Sequence, residues 1–259
     1  MERPLRERRT ETISSRENRW FRRFLRAAQR HEEEIVLEGP KPIRDALGRG
    51  WTPIAFALSG EAEAPKADAP AFRFAPSLAR QLTDTVHSQG LLALFHRPEA
   101  DPGALFRDGA PLIVVLDGVQ DPGNVGTVVR LAAAFGATGV ALTEGTADAY
   151  APKALRASAG TALALPVVAI GRDVLVAELA KRKIALWATA ASGEPRVAIE
   201  RPAAIAFGSE GQGISATILE RARTIAIPIE PGIESINVAS AAAIVLNEVY
   251  SSSRYHSRS

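Results

Sequence analysis

An arginine follows a glycine at a distance of four residues in DPGNVGTVVR, a stretch that lies directly behind the apolar run PLIVVL. This spacing places Gly126 and Arg130 on one face of the expected helix, and a helical side chain leans toward the N-terminus. Arg130 would then reach back over Gly126, which has no side chain to block it. A cation near a helix N-terminus opposes the helix dipole, so an anion or a developing negative charge over the turn would explain the position of Arg130. A salt bridge to Asp117 or Asp121 is the alternative, and Asn124 could cap the helix or hydrogen-bond a ligand.

A second turn, GSEGQG, follows the apolar run AAIAF. Its glycines, Gly208, Gly211 and Gly213, would let the backbone approach a ligand closely. Glu210 lies inside the turn, where its carboxylate could accept hydrogen bonds from an amino acid, a ribose, or a neighbouring Asn and Arg. The same carboxylate would repel phosphate, which disfavours a nucleoside triphosphate as the ligand. A plain tight turn is the alternative.

A third turn lies in IAIPIEPGIESINVASAAAIVL. A predicted strand ends near Ile227 and Pro228, and Ser235 and Asn237 then open a helix whose small residues allow close backbone packing. Taken alone, this pattern favours a capped helix in the core.

Alternating strand and helix patterns position these turns. From Pro111 onward the alternation predicts an α/β domain with a largely parallel sheet covered on both faces. Ligands of such sheets bind in the loops at the carboxyl ends of the strands, and all three turns are loops of that kind. The predicted strands are 112–117, 138–143, 165–170, 183–189, 203–207 and 224–229, with a last helix at about 236–250.

The chain before Pro111 predicts a smaller α/β unit. Its strands are expected in EEIVLEG, WTPIAFALS, AFRF and LLALFHRP, with helices in KPIRDAL and PSLARQLTD, and the Gly, Pro and Asp content of 99–111 indicates a linker. The predicted division is a basic, disordered arm at 1–15, an N-terminal domain at 16–105 and a C-terminal domain at 106–259.

Composition excludes several classes of protein. The chain has no cysteine, which removes disulfides, thiolate zinc sites, a cysteine nucleophile and base methylation through a cysteine adduct. The four histidines have no metal-site spacing, so no metal is expected. No apolar run approaches the roughly 20 residues that span a bilayer, and the expected location is the cytoplasm.

The charge of the chain is uneven. Residues 1–30 contain ten arginines and four glutamates, a balance of +6, so the remainder carries −4 of the total of +2. Basic residues among Trp20, Phe21 and Phe24 suit RNA, which is gripped by charge and by stacking. An amphipathic helix whose aromatic residues pack on the protein is the alternative. The arginines expected to bind RNA are Arg16, Arg19, Arg22, Arg23, Arg26 and Arg130.

The three turns together resemble the motifs of the SpoU (TrmH) family of RNA ribose 2′-O-methyltransferases, within the SPOUT superfamily. The family motifs N-x-G-x-x-x-R, G-S/A-E-G-x-G and I-P-M…S-L-N-V-S are matched in order by DPGNVGTVVR, GSEGQG and IPIEPGIESINVAS over roughly 111–250. The departures are Ile229 for Met, Ile236 for Leu and Ala239 for Ser. None of them removes a polar catalytic group.

The resemblance implies more than the spacing shows. It implies a deep trefoil knot in the C-terminal domain, S-adenosylmethionine bound bent in that knot, a homodimer formed through this domain, and an N-terminal RNA substrate-binding domain. The implied catalytic residues are Arg130, Asn124, Glu210, Ser235 and Asn237. The implied cofactor-binding residues are Gly208, Glu210, Gly211, Gly213, Ile227, Pro228, Ile236 and Asn237.

Arg130 matches the catalytic arginine of the family. A pKa above 12 makes arginine a poor base, so we expect an electrostatic clamp on the developing alkoxide, although action as a base stays open. Large-subunit ribosomal RNA is favoured over tRNA as the substrate. The other classes considered are a non-catalytic RNA-binding protein and an NAD-dependent oxidoreductase, for which Glu144 would bind the ribose.

Overall fold

The computed structural model describes residues 11–30, 32–83, 89–99, 101–195 and 198–256. Its contacts divide the chain into two compact units. The N-terminal unit contains the residues up to Pro98 together with Tyr150–Pro152, and the C-terminal unit contains Glu99–Ala149 and the residues from Lys153 onward.

The N-terminal unit is built on a mixed five-stranded sheet of order β1-β4-β3-β5-β2. Strands β1, β4 and β3 are parallel to one another, whereas β5 runs antiparallel to both β3 and β2. Its elements are β1 Glu11–Ile13, α1 Arg19–Arg30, β2 Glu34–Glu38, α2 Pro40–Gly48, β3 Pro53–Leu58, β4 Ala71–Phe74, α3 Pro76–Ala79 and β5 Leu91–His96.

Helix α1 buries its aromatic residues. Phe21 and Phe24 are 1% and 0% exposed and meet Phe74 edge-on, with ring centroids 6.0 and 5.8 Å apart. Trp20 lies against Phe72, with the ring centroids 4.8 Å apart. Of the two interpretations of this helix, the amphipathic helix whose aromatic residues pack on the protein is confirmed for Phe21 and Phe24, because one face of the helix is apolar.

The predicted disordered arm is also partly wrong. Glu11–Ile13 forms the edge strand β1, and Ile13 is buried opposite Phe74 of β4. The burial of Ile13 and the pairing with β4 thus order a segment whose polar composition suggested a tail. Residues 1–10 lie outside the described residues.

The C-terminal unit contains a six-stranded sheet of order β11-β9-β10-β6-β7-β8 in which every pairing is parallel. Every residue of β6 and of β7 is buried, as expected for a parallel sheet covered on both faces. The elements are β6 Leu112–Asp117, α4 Pro122–Ala134, β7 Gly139–Leu142, α5 Pro152–Ala157, β8 Val167–Ala169, α6 Arg172–Lys181, β9 Ala185–Pro195, β10 Ala203–Gly208, α7 Ala216–Leu219, β11 Arg223–Ala226 and α8 Val238–His256.

The predicted linker belongs to the core of this unit. Pro102–Phe106 is a short 3-10 helix, and Leu105 is fully buried in the same apolar cluster as Ile113. A Cβ atom on Gly139 would lie 2.7 Å from Leu105, so the glycine makes room for this side chain. Gly, Pro and Asp residues flank Leu105 on both sides, but the apolar side chain of Leu105 packs this segment into the core.

Strand β9 leaves the regular pairing beside β11. Thr224 pairs with Ala188, whereas the next residue, Ile225, pairs with Glu194. The intervening residues of β9 therefore loop out at the carboxyl end of the strand. Gly193 permits the return, because a Cβ there would lie 2.4 Å from the backbone of Ile225.

Two classes of feature are absent from the described part of the chain. None of its helices is long and apolar enough to cross a membrane. It also holds no group of three or more metal-ligating side chains that could bind an ion.

Candidate functional site

Side chains from the three glycine-containing turns meet at the carboxyl ends of the parallel strands. Asn124 donates through Nδ2 to Oε1 of Glu210 at 2.5 Å, and Asn237 donates through Nδ2 to Oδ1 of Asn124 at 3.2 Å. These residues lie 86 and 113 positions apart in the chain. The structure thus brings together three of the five predicted catalytic residues in one hydrogen-bonded group.

Two helices present this group through their first turns. Asp121 caps α4 by accepting from the backbone N–H of Asn124 at 3.0 Å, so the alternative that Asn124 caps the helix is wrong. Asn237 does cap α8, since its Oδ1 accepts from the N–H of Ala239 at 2.9 Å. Its Nδ2 remains available for Asn124, so the third turn is both a helix cap and part of the site.

Gly126 serves the packing of α4. It is buried, and a Cβ atom there would lie 2.2 Å from the carbonyl oxygen of Ala154 in α5. The prediction that Gly126 clears a path for Arg130 is therefore wrong. The spacing of the two residues was read correctly as helical, but the neighbouring helix α5 occupies the space over the glycine.

Arg130 is exposed and makes no hydrogen bond or ion pair within the described residues. Both acids offered as its partners are engaged elsewhere, because Asp117 pairs with Arg172 and Asp121 pairs with Lys153 at 2.6 Å. The salt-bridge alternative for Arg130 is wrong. Its charge is available to an anionic ligand.

Asp117, the last residue of β6, is a buried carboxylate at the base of the site and is 2% exposed. Its Oδ1 accepts from Oγ1 of Thr143 and from Nε of Arg172, both at 2.6 Å, and its Oδ2 accepts from the N–H of Ser215 at 2.7 Å. Burial alone raises the pKa of Asp117, but these hydrogen bonds outweigh it and hold the pKa below its ordinary value. The carboxylate is therefore ionised at neutral pH.

The GSEGQG turn closes on itself. Ser209 and Gly213 exchange backbone hydrogen bonds of 3.1 and 2.9 Å, and a Cβ on Gly208 would lie 2.3 Å from the backbone of Gly213. Gly213 has a φ of +66°, a conformation that favours glycine. These two glycines serve the turn itself, as the plain-turn alternative requires, while Glu210 at its tip reaches Asn124.

A cavity of about 320 Å³ borders this polar group. Of the residues predicted to bind the cofactor, Gly208, Glu210, Ile227 and Ile236 line it, and so does Ser235. Gly211, Gly213, Pro228 and Asn237 are not among its lining residues. The remaining lining residues are Thr189, Ala190, Ser209, Ile229, Glu230, Pro231, Ile233, Glu234, Val238 and Ala241.

The sequence reasoning missed the contribution of β9. Thr189 and Ala190 line the cavity where β9 leaves its pairing with β11. Their position at the carboxyl end of a predicted strand was a usable signal, because ligands bind there in parallel sheets. No glycine-rich turn marked them.

The arginines of α1 differ in their availability. Arg23 is paired with Glu34, with Nε 3.0 Å from Oε1, and Arg22 is paired with Glu17. The remaining predicted RNA-binding arginines of this segment, Arg16, Arg19 and Arg26, are exposed. The pKa of Arg23 is raised by its hydrogen bond to Glu34.

Glu144 has a structural partner. Its carboxylate oxygens accept from the backbone N–H of Arg172 at 3.2 and 3.1 Å, at the first residue of α6. An acid at a helix N-terminus is favoured by the unpaired N–H groups there. Glu144, which the oxidoreductase alternative assigned to ribose binding, therefore stabilises the N-terminus of α6.

The fold and this geometry define a parallel α/β protein with a ligand site at its strand ends, and comparison with known proteins identifies the family. The SpoU rRNA Methylase family matches residues 111–247. A relative from Bacillus subtilis, the 23S rRNA (guanosine(2553)-2′-O)-methyltransferase RlmP, is 32% identical over 220 residues, which cover 83% of this chain and 84% of that one. An uncharacterized tRNA/rRNA methyltransferase from Synechocystis is 31% identical over 237 residues, 85% of each chain.

A solved structure is similar over nearly the whole length. The SpoU methyltransferase AviRb from Streptomyces viridochromogenes, crystallised with AdoMet, superposes with a TM-score of 0.83 at 25% identity, covering 91% of this chain and 98% of that one. The chain belongs to the SpoU rRNA Methylase family and is an RNA methyltransferase. The resemblance stated from the three motifs is confirmed.

Proposed function

We propose that this protein transfers a methyl group from S-adenosylmethionine to a ribose 2′-hydroxyl of RNA, with large-subunit ribosomal RNA as the favoured substrate. The observation that carries the proposal is the hydrogen-bonded group of Asn124, Glu210 and Asn237 beside the 320 Å³ cavity. RlmP, named as a 2′-O-methyltransferase of 23S rRNA, supports both the position methylated and the class of RNA.

The cavity suits S-adenosylmethionine. Its volume lies within the range of roughly 300–1,000 Å³ of small-molecule sites. Ile227 and Ile236 provide apolar wall for a purine, while Glu210, Glu230 and Glu234 bring carboxylates to a ligand that carries an ammonium and a sulfonium. When bound, the cofactor supplies an electrophilic methyl group on a positively charged sulfur.

Arg130 would stabilise the negative charge that develops on the ribose oxygen. A 2′-hydroxyl must lose its proton, or nearly so, to act as a nucleophile, and a guanidinium keeps its charge at all relevant pH values. Arg130 has that charge unpaired within the described structure. Such preorganised charge is the usual basis of transition-state stabilisation.

Asn124 is fixed in one orientation. An asparagine amide has two donor hydrogens and two acceptor lone pairs, and Glu210 takes one hydrogen while Asn237 fills one lone pair. One N–H and one lone pair remain, which match a ribose hydroxyl that both donates and accepts. Glu210 and Asn237 thereby act as the supports of Asn124, and Ser235 lies beside them on the cavity wall.

Further parts of the proposal follow from the family. We propose that the C-terminal unit contains a deep trefoil knot, which protein chains in general avoid. A homodimer through this unit is supported by the exposed Ile244 of α8, of which 40% is accessible. The N-terminal unit would bind the RNA substrate through the exposed arginines of α1, and the cytoplasm is its proposed location.

The test is transfer of labelled methyl from S-adenosylmethionine to purified ribosomal RNA and, in parallel, to tRNA. A 2′-O-methyl group blocks alkaline cleavage of the adjacent phosphodiester, so resistant linkages locate the modified nucleotide. We expect label at one alkali-resistant position of large-subunit RNA. Label in tRNA alone would overturn the choice of substrate, and label on a base would overturn the 2′-O assignment.

A binding measurement separates the other classes. Thermal shift with S-adenosylhomocysteine should raise the melting temperature, and NAD should not. Stabilisation by NAD alone would point to an oxidoreductase. RNA binding without any methyl transfer would point to a non-catalytic RNA-binding protein.

A further inference from the structure

The carboxylate of Asp117 lies between the two loops that carry Asn124 and Glu210. The first loop leaves β6 at the residue after Asp117, and its start is held by a 2.9 Å hydrogen bond from the N–H of Gly118 to Thr146. The second loop leaves β10 at Gly208 and ends at Ser215, whose N–H donates to Oδ2 of Asp117 at 2.7 Å. The carboxylate of the last residue of β6 therefore ties the end of that strand, where the first loop begins, to the end of the second loop.

The ion pair of Asp117 is not explained by stability alone. Burying a charged pair costs desolvation, and apolar residues of similar volume at such positions are often neutral or stabilising. Here the carboxylate is almost fully buried, and the Arg172 side chain that compensates it is 26% exposed. The ionised carboxylate instead fixes relative positions, since Thr143, Arg172 and the Ser215 backbone reach it from three different connections, those that follow β7, β8 and β10.

The contact between the two loops tolerates little displacement. Asn124 and Glu210 are joined by a single hydrogen bond of 2.5 Å, and such bonds are lost beyond about 3.5 Å. Asn124 in turn holds its 3.2 Å contact with Asn237 only in that orientation. A shift of about 1 Å far from the reacting atoms can cost on the order of 100-fold in rate.

We propose that Asp117 is a positioning residue of the methyl-transfer site, which holds the GSEGQG loop in the place where Glu210 meets Asn124. Its link to catalysis rests on the proposed function, whereas its link to loop position does not. The residue acts through the Ser215 N–H and touches neither substrate nor cofactor.

Ser215 offers a matched pair of variants. Its φ of −63° is compatible with proline, which has no N–H, so Ser215→Pro removes the donor to Asp117 and leaves Asp117 itself in place. Ser215→Ala keeps the N–H and removes a hydroxyl that has no partner of ordinary hydrogen-bond geometry within the described residues, although that hydroxyl helps to lower the pKa of Asp117. Asp117→Asn is the third variant, because an amide nitrogen cannot accept from a donor.

The experiment measures single-turnover methyl transfer at saturating RNA and cofactor, cofactor affinity, and amide hydrogen exchange of residues 209–215. We expect Ser215→Pro and Asp117→Asn to lower the transfer rate on the order of 10- to 100-fold, to change cofactor affinity by less than about threefold, and to speed exchange in the loop. Ser215→Ala keeps the N–H donor to Asp117, so it should lie much closer to the natural protein than Ser215→Pro in all three measurements. Since Asp117 acts through Glu210, Asp117→Asn should lower the transfer rate of the Glu210→Ala variant only slightly further.

Several outcomes would overturn the proposal. One is an unchanged rate and unchanged loop exchange in Ser215→Pro, and another is an additive loss in the double variant. If the natural protein transfers no methyl to any RNA, the proposed function fails, and loop exchange in Ser215→Pro against Ser215→Ala still decides whether Asp117 positions the loop.

Discussion

The two units of this protein arrange their polar side chains in different ways. In the C-terminal unit, hydrogen bonds join residues that are distant in the chain: Asn124 with Glu210 and with Asn237, and the buried carboxylate of Asp117 with the N–H of Ser215. In the N-terminal unit several exposed arginines, Arg19, Arg22 and Arg26, lie along one helix, α1, whose opposite face is buried. The first arrangement fixes geometry, as bond-making chemistry requires, and the second presents charge, which is sufficient for holding a polyanion.

This contrast between the two units would fail if a buried aromatic residue of α1 bound RNA. Phe24→Ala should destabilise the protein by about 3–5 kcal/mol, because it empties a fully buried site. Denaturant unfolding measures this loss, and methyl transfer by the molecules that remain folded should be unaffected. A stable Phe24→Ala protein with lost RNA affinity would show that the ring contacts RNA.

Arg130→Ala tests the chemical role of the C-terminal unit. We expect the transfer rate to fall on the order of 10²–10³-fold, since a charge aimed at the transition state is removed, with cofactor binding nearly unchanged. Single-turnover kinetics and calorimetry measure the two quantities. Arg221→Ala removes an exposed arginine elsewhere in the same unit and is the control. A rate for Arg130→Ala equal to that of the control would remove Arg130 from the mechanism.

Asn124→Asp tests the link between the loops without changing the shape of the side chain. It places two carboxylates at the 2.5 Å contact with Glu210, and like charges raise the pKa of one of them. At neutral pH we expect a loss of roughly 10- to 100-fold, which corresponds to a charged hydrogen bond of about 1.5–3 kcal/mol. The ratio of variant to natural rate should rise as the pH falls, because a shared proton restores the hydrogen bond. A pH-independent ratio would mean that the two side chains do not meet in the active protein.

Arg26→Ala tests the N-terminal unit and has the smallest expected effect. The logarithm of RNA affinity should depend less steeply on the logarithm of salt concentration, by about one unit of slope, if Arg26 contacts a phosphate. Arg44→Ala removes an exposed charge from α2 and is the matched control. Equal slopes for both variants and the natural protein would show that Arg26 does not contact a phosphate of the RNA.

The local features of the fold were predictable from sequence. The strand ends before the three turns and the parallel α/β class follow from apolar runs and helix starts, which depend on neighbouring residues. The proposed catalytic residues came from the motif resemblance, and their chemical role stays a prediction. The positions of β6 and β10 were predicted to within one residue. The family was identified from the same motifs and is confirmed by the comparisons.

Partners that are distant in the chain were not predictable in the same way. Whether Arg130 pairs with Asp117 depends on Arg172, which lies 55 residues beyond Asp117 and takes that place through the sheet. Whether Gly126 opens a path depends on the backbone of Ala154 in another helix. A single sequence contains no signal for such contacts, because many side chains of the same type compete for each one.

By itself, the sequence determined which residues could do chemistry, since residue type and local spacing set charge, hydrogen-bonding capacity and the starts of helices. Only the tertiary structure decided which of them work together. It buried Phe21, Phe24 and Leu105, left Arg130 unpaired within the described residues, and joined Asn124 to Glu210 across 86 positions. The physical reason is that burial and pairing are settled by the strands and helices that pack beside a residue, whatever their distance along the chain.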